Sequence, residues 1–277
     1  MNELAIEEFR TLRDMIKERS GIWLSDTKVS FLSVRLNHRL KVTNIESAKD
    51  YFFYLKYDPE GGAELDNLVD AATVNETYFF REDAQLEDFS NEIVPKILEQ
   101  KTGGEPITIW SAGCSTGEEP YTLAMLLLEH PLQIEPSRIS IIASDINRSI
   151  LSAAREGVYD SYSVRRTPPL YLLKYFEKRD DGKYLVNEKV RRLVKFAHIN
   201  FMDPFATGRI RDMDAAFCRN VIIYFDDIDK GRCIDNLRRS LAKGGYLHLG
   251  HSESLNRSSS LFDVVRLKQT VAYRKLI

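Results

Sequence analysis

Apolar residues recur at helical spacing through the first part of the chain. Between Leu4 and about Asp70 they fall three or four positions apart within four stretches, as in helices that bury one face. Turn-forming residues separate these stretches at 20–21, 43–44 and 59–62. The apolar positions are Phe9, Leu12 and Ile16, then Phe31, Leu32, Leu36 and Leu40, then Tyr51, Phe52 and Leu55, then Leu65, Leu68 and Val69. The pattern predicts four short helices, followed by a fifth over about residues 84–99.

The period of the pattern changes after the loop at residues 103–106. Short β-branched and aromatic runs at 107–110, 139–143, 215–218 and 246–249 predict strands, and a helical stretch over about 118–129 follows the first of them. Strands that alternate with helices are typical of an α/β fold with a doubly wound, mostly parallel sheet. Two further strand-like runs within 264–274 predict that the sheet ends in an antiparallel hairpin.

Residues 163–195 interrupt the alternation of strands and helices. They contain two adjacent prolines, a turn-like sequence at 179–182, and ten Lys or Arg against four acidic residues. We interpret the region of about 160–197 as a small, basic, antiparallel β insertion. The predicted organisation is therefore a helical N-terminal domain at 1–75 and an α/β domain at 76–277 that carries the insertion.

The composition is that of an ordinary globular protein. Hydrophobic residues make up 43% of the chain and charged residues 29%, which is far from the profile of a disordered sequence. The apolar runs, such as residues 123–128, are much shorter than the roughly 20 residues that cross a bilayer, and the first residues lack the pattern of a secretory signal. We expect a cytoplasmic protein without direct membrane insertion. The three widely spaced cysteines predict neither disulfides nor a metal site.

Overall charge gives little reason to expect a nucleic-acid partner. Lys and Arg total 39 against 41 Asp and Glu, a net charge of −2, which excludes a generic nucleic-acid binder that works by overall charge. The charge is unevenly distributed, since residues 10–41 hold eight Lys or Arg against three acids while residues 44–70 hold two against seven. The basic segment is a candidate for a partner-binding face.

Small residues dominate the turn from the first strand into the following helix. The spacing of Gly113, Ser115 and Gly117 departs from the dinucleotide-binding pattern, but small residues at this position let backbone N–H groups and a helix N-terminus approach a ligand. A tight strand-to-helix connection with no ligand has the same composition. The adjacent Glu118 and Glu119 would repel a pyrophosphate and fit a cationic amine or sulfonium better.

An acidic residue ends the second predicted strand. Asp145, within residues 143–147, occupies the position at which an acid can accept hydrogen bonds from both hydroxyls of a ribose. The same side chain could instead cap the helix that follows. Together with the small-residue turn, Asp145 favours a ligand of adenosine type.

Five segments together resemble one known family. Residues 75–81, 111–122, 143–147, 217–225 and 250–253 are similar, in the same order, to motifs of the CheR family of chemotaxis receptor methyltransferases. The resemblance covers nearly the whole chain, including a helical N-terminal domain and a small β insertion. It implies a fold of the S-adenosylmethionine-dependent methyltransferase type, S-adenosyl-L-methionine as methyl donor, and receptor glutamate side chains as the groups that become methyl esters.

The resemblance also implies roles for individual residues. The implied cofactor-binding residues are Asn75, Thr77 and Arg81 on the helical side, Ala112 and Glu118 at the methionine end, Asp145 at the ribose, Asn200 and Phe201 near the adenine, and Asn220 and Val221 beside the sulfonium. Arg81 and Tyr224 are implied to assist the transfer. Structural alternatives stay open, because Tyr224 could pack at a strand end, Asn220 could form a turn and Arg81 could pair locally.

The proposed chemistry agrees with the residues present. A free glutamate, with a pKa of about 4.3, is ionised near neutrality, so methyl transfer to it requires no general base. Two alternatives remain: a nucleic-acid methyltransferase, and a non-catalytic nucleotide-sensing module that binds a partner. The first is disfavoured because the chain has no Asn-Pro-Pro-Tyr or Asp-Pro-Pro-Tyr tetrapeptide and no Pro-Cys pair, and the second because the transfer residues are all present.

A basic stripe on the second predicted helix is the expected docking face for the substrate. Lys28, Arg35 and Arg39 are seven and four residues apart, so they fall on one side of a helix over about 26–41. The expected partners are methyl-accepting chemotaxis receptors, which the protein would bind at their cytoplasmic helical region, with complementary charge speeding encounter. We expect the protein itself to be a monomer. A simple solvated basic face is the alternative.

Overall fold

A computed structural model describes residues 4–255 and 261–276 of the 277-residue chain. Four helices form its first part and confirm the prediction from the apolar pattern; they are α1 (Ile6–Ser20), α2 (Val29–Thr43), α3 (Ala48–Tyr57) and α4 (Gly61–Ala72). Gly21 and Asn44 end α1 and α2 in the left-handed conformation, with φ of 78° and 55°. The outer ends of the two predicted domains, residues 1–3 and 277, lie outside the described residues.

The four helices share their core with one face of the large sheet. Phe9, Leu12 and Ile16 are fully buried and belong to the same apolar cluster as Trp110 of the first strand and Leu237 of a late helix. The helical part is therefore packed onto the α/β part. This packing brings the segment after α4 to the carboxyl end of the first strand.

The predicted fifth helix is present but irregular. It consists of α5 (Asp83–Asp88), a π-helical turn (Phe89–Ile93) and α6 (Val94–Gln100). The Asp88 carboxylate accepts hydrogen bonds from the backbone N–H groups of Gln269 and Thr270, at 2.9 and 2.7 Å. It thereby fixes the turn of the C-terminal hairpin.

Within the residues that the structure describes, the α/β part has ten strands in two sheets. The strands are β1 (Ile107–Ala112), β2 (Ile139–Asp145), β3 (Val158–Tyr159), β4 (Phe176–Lys178), β5 (Tyr184–Val186), β6 (Val194–His198), β7 (Met213–Cys218), β8 (Leu241–Leu249), β9 (Phe262–Arg266) and β10 (Val271–Lys275). The large sheet has the order β6-β2-β1-β7-β8-β10-β9, in which β10 runs antiparallel to β8 and β9 and the other pairs are parallel. The predicted fold class and terminal hairpin are confirmed.

Helices connect and cover these strands. They are α7 (Glu118–Leu128), α8 (Arg148–Glu156), α9 (Pro169–Tyr175), α10 (Glu188–Arg191), α11 (Pro204–Thr207) and α12 (Asp227–Ser240), with 3₁₀ turns at Asp26–Lys28, Pro136–Arg138 and Ile222–Tyr224. Along the described ranges, 4–255 and 261–276, no helix combines the length and the apolar character that crossing a membrane requires.

The small sheet, of order β3-β5-β4, is antiparallel, as expected for the insertion. Its predicted limits are wrong at the C-terminal end, because β6 pairs in parallel with β2 and is a strand of the large sheet. The apolar pattern does not mark β6, because this strand forms the edge of the sheet and is only partly buried.

The strand order creates a crevice next to β1. From β1 the chain builds the sheet outward through β2 to β6, then returns to place β7 on the other side of β1. The loops that follow β1 and β7 therefore leave the sheet in different directions. In open α/β sheets such a switch point at the carboxyl ends of the strands is the usual ligand site.

Candidate active site

A cavity lies at the carboxyl ends of β1, β2 and β7. The opposite wall is the linker, which we define as residues 73–82 between α4 and α5. Eight of the ten predicted cofactor-binding residues line this cavity, together with the predicted catalytic Tyr224; the eight are Asn75, Thr77, Arg81, Asp145, Asn200, Phe201, Asn220 and Val221. Residues more than a hundred positions apart in sequence thus share one cavity.

Ala112 and Glu118 are not among the residues that line the cavity. Ala112 is fully buried at the end of β1, and the next residue, Gly113, reaches the cavity instead. Glu118 is buried in the first turn of α7, where it accepts a hydrogen bond from the Thr116 hydroxyl at 2.6 Å. Consecutive helical residues point about 100° apart, so one member of the glutamate pair faces inward, and that member is Glu119.

The loop after β1 is held tightly against neighbouring elements. The N–H groups of Gly113 and Cys114 donate to the Ser144 carbonyl oxygen of β2, at 2.8 and 2.9 Å. Gly113 has a φ of 83°, and a Cβ atom there would lie only 2.4 Å from Cγ2 of Val221. A side chain at this φ would be strained and would displace Val221, so glycine lets the β1 loop and the segment after β7 meet closely at the cavity.

Asp145 organises the backbone beside the cavity. Its Oδ2 accepts a hydrogen bond from the Ser115 N–H at 2.9 Å, and its Oδ1 accepts one from the Asn147 N–H at 3.0 Å. Burial raises the pKa of this carboxyl, and the backbone hydrogen bonds oppose that rise. The side chain that caps α8 is that of Asn147, which accepts from Ile150 N–H, so a capping role for Asp145 is wrong.

A buried ion pair forms the floor on the α7 side. The Arg219 guanidinium lies 3.3 Å from Oε2 of Glu119, whose Oε1 accepts a hydrogen bond from Ser111 Oγ at 2.6 Å. Arg219 also donates to the carbonyl oxygen of Arg81 in the linker. Burial raises the pKa of Glu119, while Arg219 and Ser111 act in the opposite direction. An acidic group in this position suits a cationic ligand group.

The segment after β7 carries the predicted Tyr224. We define it as the β7 loop, residues 219–226. The Trp23 N–H donates to the Tyr224 carbonyl oxygen at 2.7 Å, and Ile22 forms an antiparallel bridge with Phe225. The helical part of the protein therefore holds one end of this loop directly. Burial raises the pKa of the Tyr224 hydroxyl, opposed by the nearby Arg81, so the hydroxyl is a hydrogen-bond donor at neutral pH.

The linker forms the opposite wall, and its polar groups bond to several separate partners. Arg81 Nη1 donates to the carbonyl oxygen of Glu76 at 2.7 Å, and Asn75 Nδ2 donates to the hydroxyl of Thr73 at 2.8 Å. Ser115 Oγ donates to the Asn75 carbonyl oxygen at 3.2 Å and so joins the two walls. The Arg81 guanidinium retains further N–H groups toward the cavity that it lines.

The predicted docking stripe is divided in the structure. Lys28 and Arg35 lie over the Phe31 ring, with their charged groups 5.9 and 3.6 Å from its centroid. Arg39 instead forms two hydrogen bonds with the Glu64 carboxylate of α4, at 2.8 and 2.6 Å, and its side chain is only 15% exposed. Its assignment to the docking face is wrong, because helical spacing could not reveal that α4 packs beside it.

Comparison with known proteins gives matches along nearly the whole chain. Residues 75–271 match the family described as CheR methyltransferase, SAM binding domain, and residues 7–73 match the CheR methyltransferase all-alpha domain. Chemotaxis protein methyltransferase 2 of Vibrio cholerae is 41% identical over 277 residues, covering 99% of this chain and 96% of the relative. The chemotaxis protein methyltransferase of Borreliella burgdorferi is 36% identical, covering 92% and 90%. Chemotaxis protein methyltransferase 1 of Pseudomonas aeruginosa is 32% identical, covering 96% and 97%.

Proposed function

This chain belongs to the CheR methyltransferase family, and we propose that it transfers the methyl group of S-adenosyl-L-methionine to glutamate side chains of chemotaxis receptors. Family membership makes it an S-adenosylmethionine-dependent methyltransferase. The observation that carries the proposal is the shared cavity, which holds Asp145 and Glu119 on the sheet side and Arg81 and Tyr224 near each other. The products are glutamate methyl esters and S-adenosylhomocysteine.

The residues around the cavity fit this cofactor. Gly113 lets Val221 approach the β1 loop closely at the cavity, and the buried Asp145 borders the same cavity. Glu119 places a carboxyl group where a cationic amine or sulfonium would be stabilised. When bound, S-adenosylmethionine supplies a methyl group made reactive by the positive charge on its sulfur.

Each part of the cavity has a proposed contact with the cofactor. Asp145 would hold the ribose, and Asn200 and Phe201 would border the adenine. Glu119 takes the role at the methionine end that the resemblance implied for Glu118, because Glu119 is the member of the pair that lines the cavity. The remaining cofactor contacts, on the linker and the β7 loop, are Asn75, Thr77, Arg81, Asn220 and Val221.

The protein's contribution to the reaction is orientation. The substrate carboxylate is already ionised, and one of its oxygens forms a bond to the methyl carbon as the carbon–sulfur bond breaks. Arg81 and the Tyr224 hydroxyl would donate hydrogen bonds to the other carboxylate oxygen and align the attack. Holding two reactants in line can contribute about 7 to 11 kcal/mol in favourable cases. No proton has to move in this step.

Docking of the receptor is proposed on the exposed surface of the helical N-terminal domain. Of the predicted basic stripe, Lys28 and Arg35 remain available for contact there, since Arg39 is paired with Glu64. The substrate helix presents several carboxylates, and complementary charge speeds encounter and sets register. We place the reaction in the cytoplasm and expect the enzyme to act as a monomer.

One assay tests the proposal directly. The protein is incubated with methyl-labelled S-adenosylmethionine and receptor-containing membranes, and the label released from receptor by mild base is measured. Base-labile label that depends on the protein supports glutamate methyl esters. Base-stable label, or label on nucleic acid added in a parallel reaction, would contradict the proposal and favour the nucleic-acid alternative.

A further inference from the structure

Glu253 is a buried acid with an unusual set of partners. Its carboxylate accepts four backbone hydrogen bonds: Oε2 from the N–H groups of Asn220 at 2.7 Å and Gly250 at 2.8 Å, and Oε1 from those of Val221 at 3.0 Å and Ile223 at 3.2 Å. Its residue is 9% exposed, and it is not among the residues that line the cavity. One side chain after β8 therefore fixes three N–H groups of the β7 loop.

The loop that Glu253 holds has a conformation that needs such support. Asn220 has a φ of 57°, in the left-handed region that non-glycine residues rarely adopt. Such residues cost of the order of 1 kcal/mol or more and persist where the surroundings fix them. The contact is close-packed, since a Cβ atom on Gly250 would lie 2.8 Å from Glu253 Oε2 and 2.9 Å from the Asn220 nitrogen.

We propose that Glu253 is the positioning residue of the active site, which sets the β7 loop so that Asn220 and Val221 meet the cofactor and Tyr224 meets the substrate carboxylate. This inference rests on the proposed function. Glu253 acts through the backbone and touches neither ligand. The loop is thereby held at two places, by Glu253 at residues 220–223 and by the Trp23 N–H at Tyr224.

The chemistry of the carboxylate is specific to this role. An ionised carboxylate offers about four acceptor positions and carries no donor, which matches four converging N–H groups. In Glu253→Gln the amide oxygen can serve one pair of these groups, but the amide NH₂ then faces the other pair. The substitution keeps the size of the side chain and removes about half of its acceptor capacity.

A matched control exists at the far edge of the sheet. Asp88 is equally buried, at 2% exposure, and its carboxylate accepts backbone N–H groups of the β9–β10 hairpin. It is not among the residues that line the cavity. Asp88→Asn should therefore lower the free energy of unfolding in the way Glu253→Gln does, without changing the cavity.

The experiment compares these variants with the native protein at a temperature at which all are folded. We expect Glu253→Gln to weaken S-adenosylhomocysteine binding about tenfold, measured by calorimetry, and to lower kcat for receptor methylation at least as much, with receptor KM unchanged. Asp88→Asn should leave both within about twofold of the native values. Glu253→Asp, which keeps the charge, should recover part of the loss and serves if the glutamine variant fails to fold.

Two results separate failure of this inference from failure of the proposed function. If native protein methylates receptor but Glu253→Gln binds and transfers like Asp88→Asn, Glu253 is an ordinary structural residue and the inference is overturned. If native protein forms no receptor methyl ester, the proposed function fails. The calorimetric comparison still decides whether Glu253 sets the cofactor side of the loop.

Discussion

The two walls of the cavity differ in how their polar groups are held. On the sheet wall, buried carboxylates fix backbone N–H groups: Asp145 accepts two and Glu253 accepts four. On the linker wall the polar contacts are spread over separate partners: the Phe80 N–H donates to the Thr122 hydroxyl, and Arg81 donates to the Glu76 carbonyl oxygen. The linker contains no helix or strand before Asp83.

This difference indicates a division of labour between the walls. The sheet wall is preorganised by the fold, so its residues provide a fixed shape for the cofactor. The linker wall presents a guanidinium held at few points, which can align with a substrate carboxylate when one arrives. Changes to Asp145 and the β1 loop should therefore alter affinity and stability together, whereas changes to Arg81 should alter turnover.

The largest expected effect belongs to the linker wall. Arg81→Gln removes the cation that would orient the substrate carboxylate, and we expect kcat to fall about a hundredfold, the scale of a small misplacement of one reactant. S-adenosylhomocysteine affinity should change much less. A variant with normal kcat and strongly reduced cofactor affinity would reverse the assignment of the two walls.

The fixed shape of the sheet wall is tested with a pair of glycines. Gly113→Ala and Gly182→Ala both place a Cβ atom at positive φ, 83° and 80°, and each should lower the free energy of unfolding by about 1 kcal/mol or more. The Gly182 Cβ meets nothing within 4 Å, whereas the Gly113 Cβ meets Val221. Calorimetry should show weakened S-adenosylhomocysteine binding in Gly113→Ala alone. Equal affinities would mean that the wall tolerates displacement.

Two arginine variants in the helical N-terminal domain distinguish a structural residue from one on the proposed docking surface. Arg39→Gln leaves the buried Glu64 without its cation, so the free energy of unfolding should fall by about 2 kcal/mol, while Arg35→Gln should leave it nearly unchanged.

Receptor KM should instead rise severalfold in Arg35→Gln, and less as ionic strength increases. Unchanged receptor kinetics in Arg35→Gln would show that the substrate docks elsewhere, with the basic insertion as the next candidate.

Acid should weaken cofactor binding through the sheet wall, and this is the smallest effect. Burial raises the pKa of Glu119 and of Asp145, so each takes up a proton at a higher pH than an ordinary carboxyl and then attracts a cationic ligand less. S-adenosylhomocysteine affinity should decline severalfold as pH falls from 8 toward 5, with a shallower decline in Glu119→Gln. An identical pH profile in that variant would remove Glu119 from the methionine end.

Shifted carboxyl pKa values also make the free energy of unfolding depend on pH, and Glu119 and Glu64 act in opposite directions. A raised folded-state pKa, as for Glu119, makes a contribution to stability that is present below the unfolded pKa and is lost as pH rises through the folded value. For Glu64, burial raises the pKa but hydrogen bonds from Arg39, Tyr51 and Asn67 lower it overall. Its contribution is present above the unfolded pKa and is lost as pH falls, so acid should destabilise the helical N-terminal domain.

Residues at strand ends were predictable from the sequence. Asp145 and Gly113 follow recognisable strands, and the carboxyl ends of adjacent parallel strands meet at one edge. A residue at the carboxyl end of such a strand is therefore expected at the same edge of the sheet as its counterparts on the neighbouring strands. The resemblance added the linker and the β7 loop, which no periodic pattern marks.

Residues whose orientation depends on a distant neighbour were not predictable. The choice between Glu118 and Glu119 follows from the pairing of Glu119 with Arg219, a residue a hundred positions later. Arg39 was misassigned because its partner lies on another helix. Glu253 was part of a recognised motif, but its role became visible only when the loops after β7 and β8 were placed together.

One comparison tests most directly whether the residues that hold the cofactor and those that orient the carboxylate act separately: single-turnover methyl transfer to receptor at saturating S-adenosylmethionine, in Asp145→Ala and in Tyr224→Phe. Asp145→Ala should lose cofactor affinity by about ten- to a hundredfold, yet approach the native transfer rate once the cofactor is saturating. Tyr224→Phe should bind cofactor normally and remain slow at every cofactor concentration. A Tyr224→Phe variant with the native rate, beside an Asp145→Ala variant that stays slow at saturation, would contradict the account.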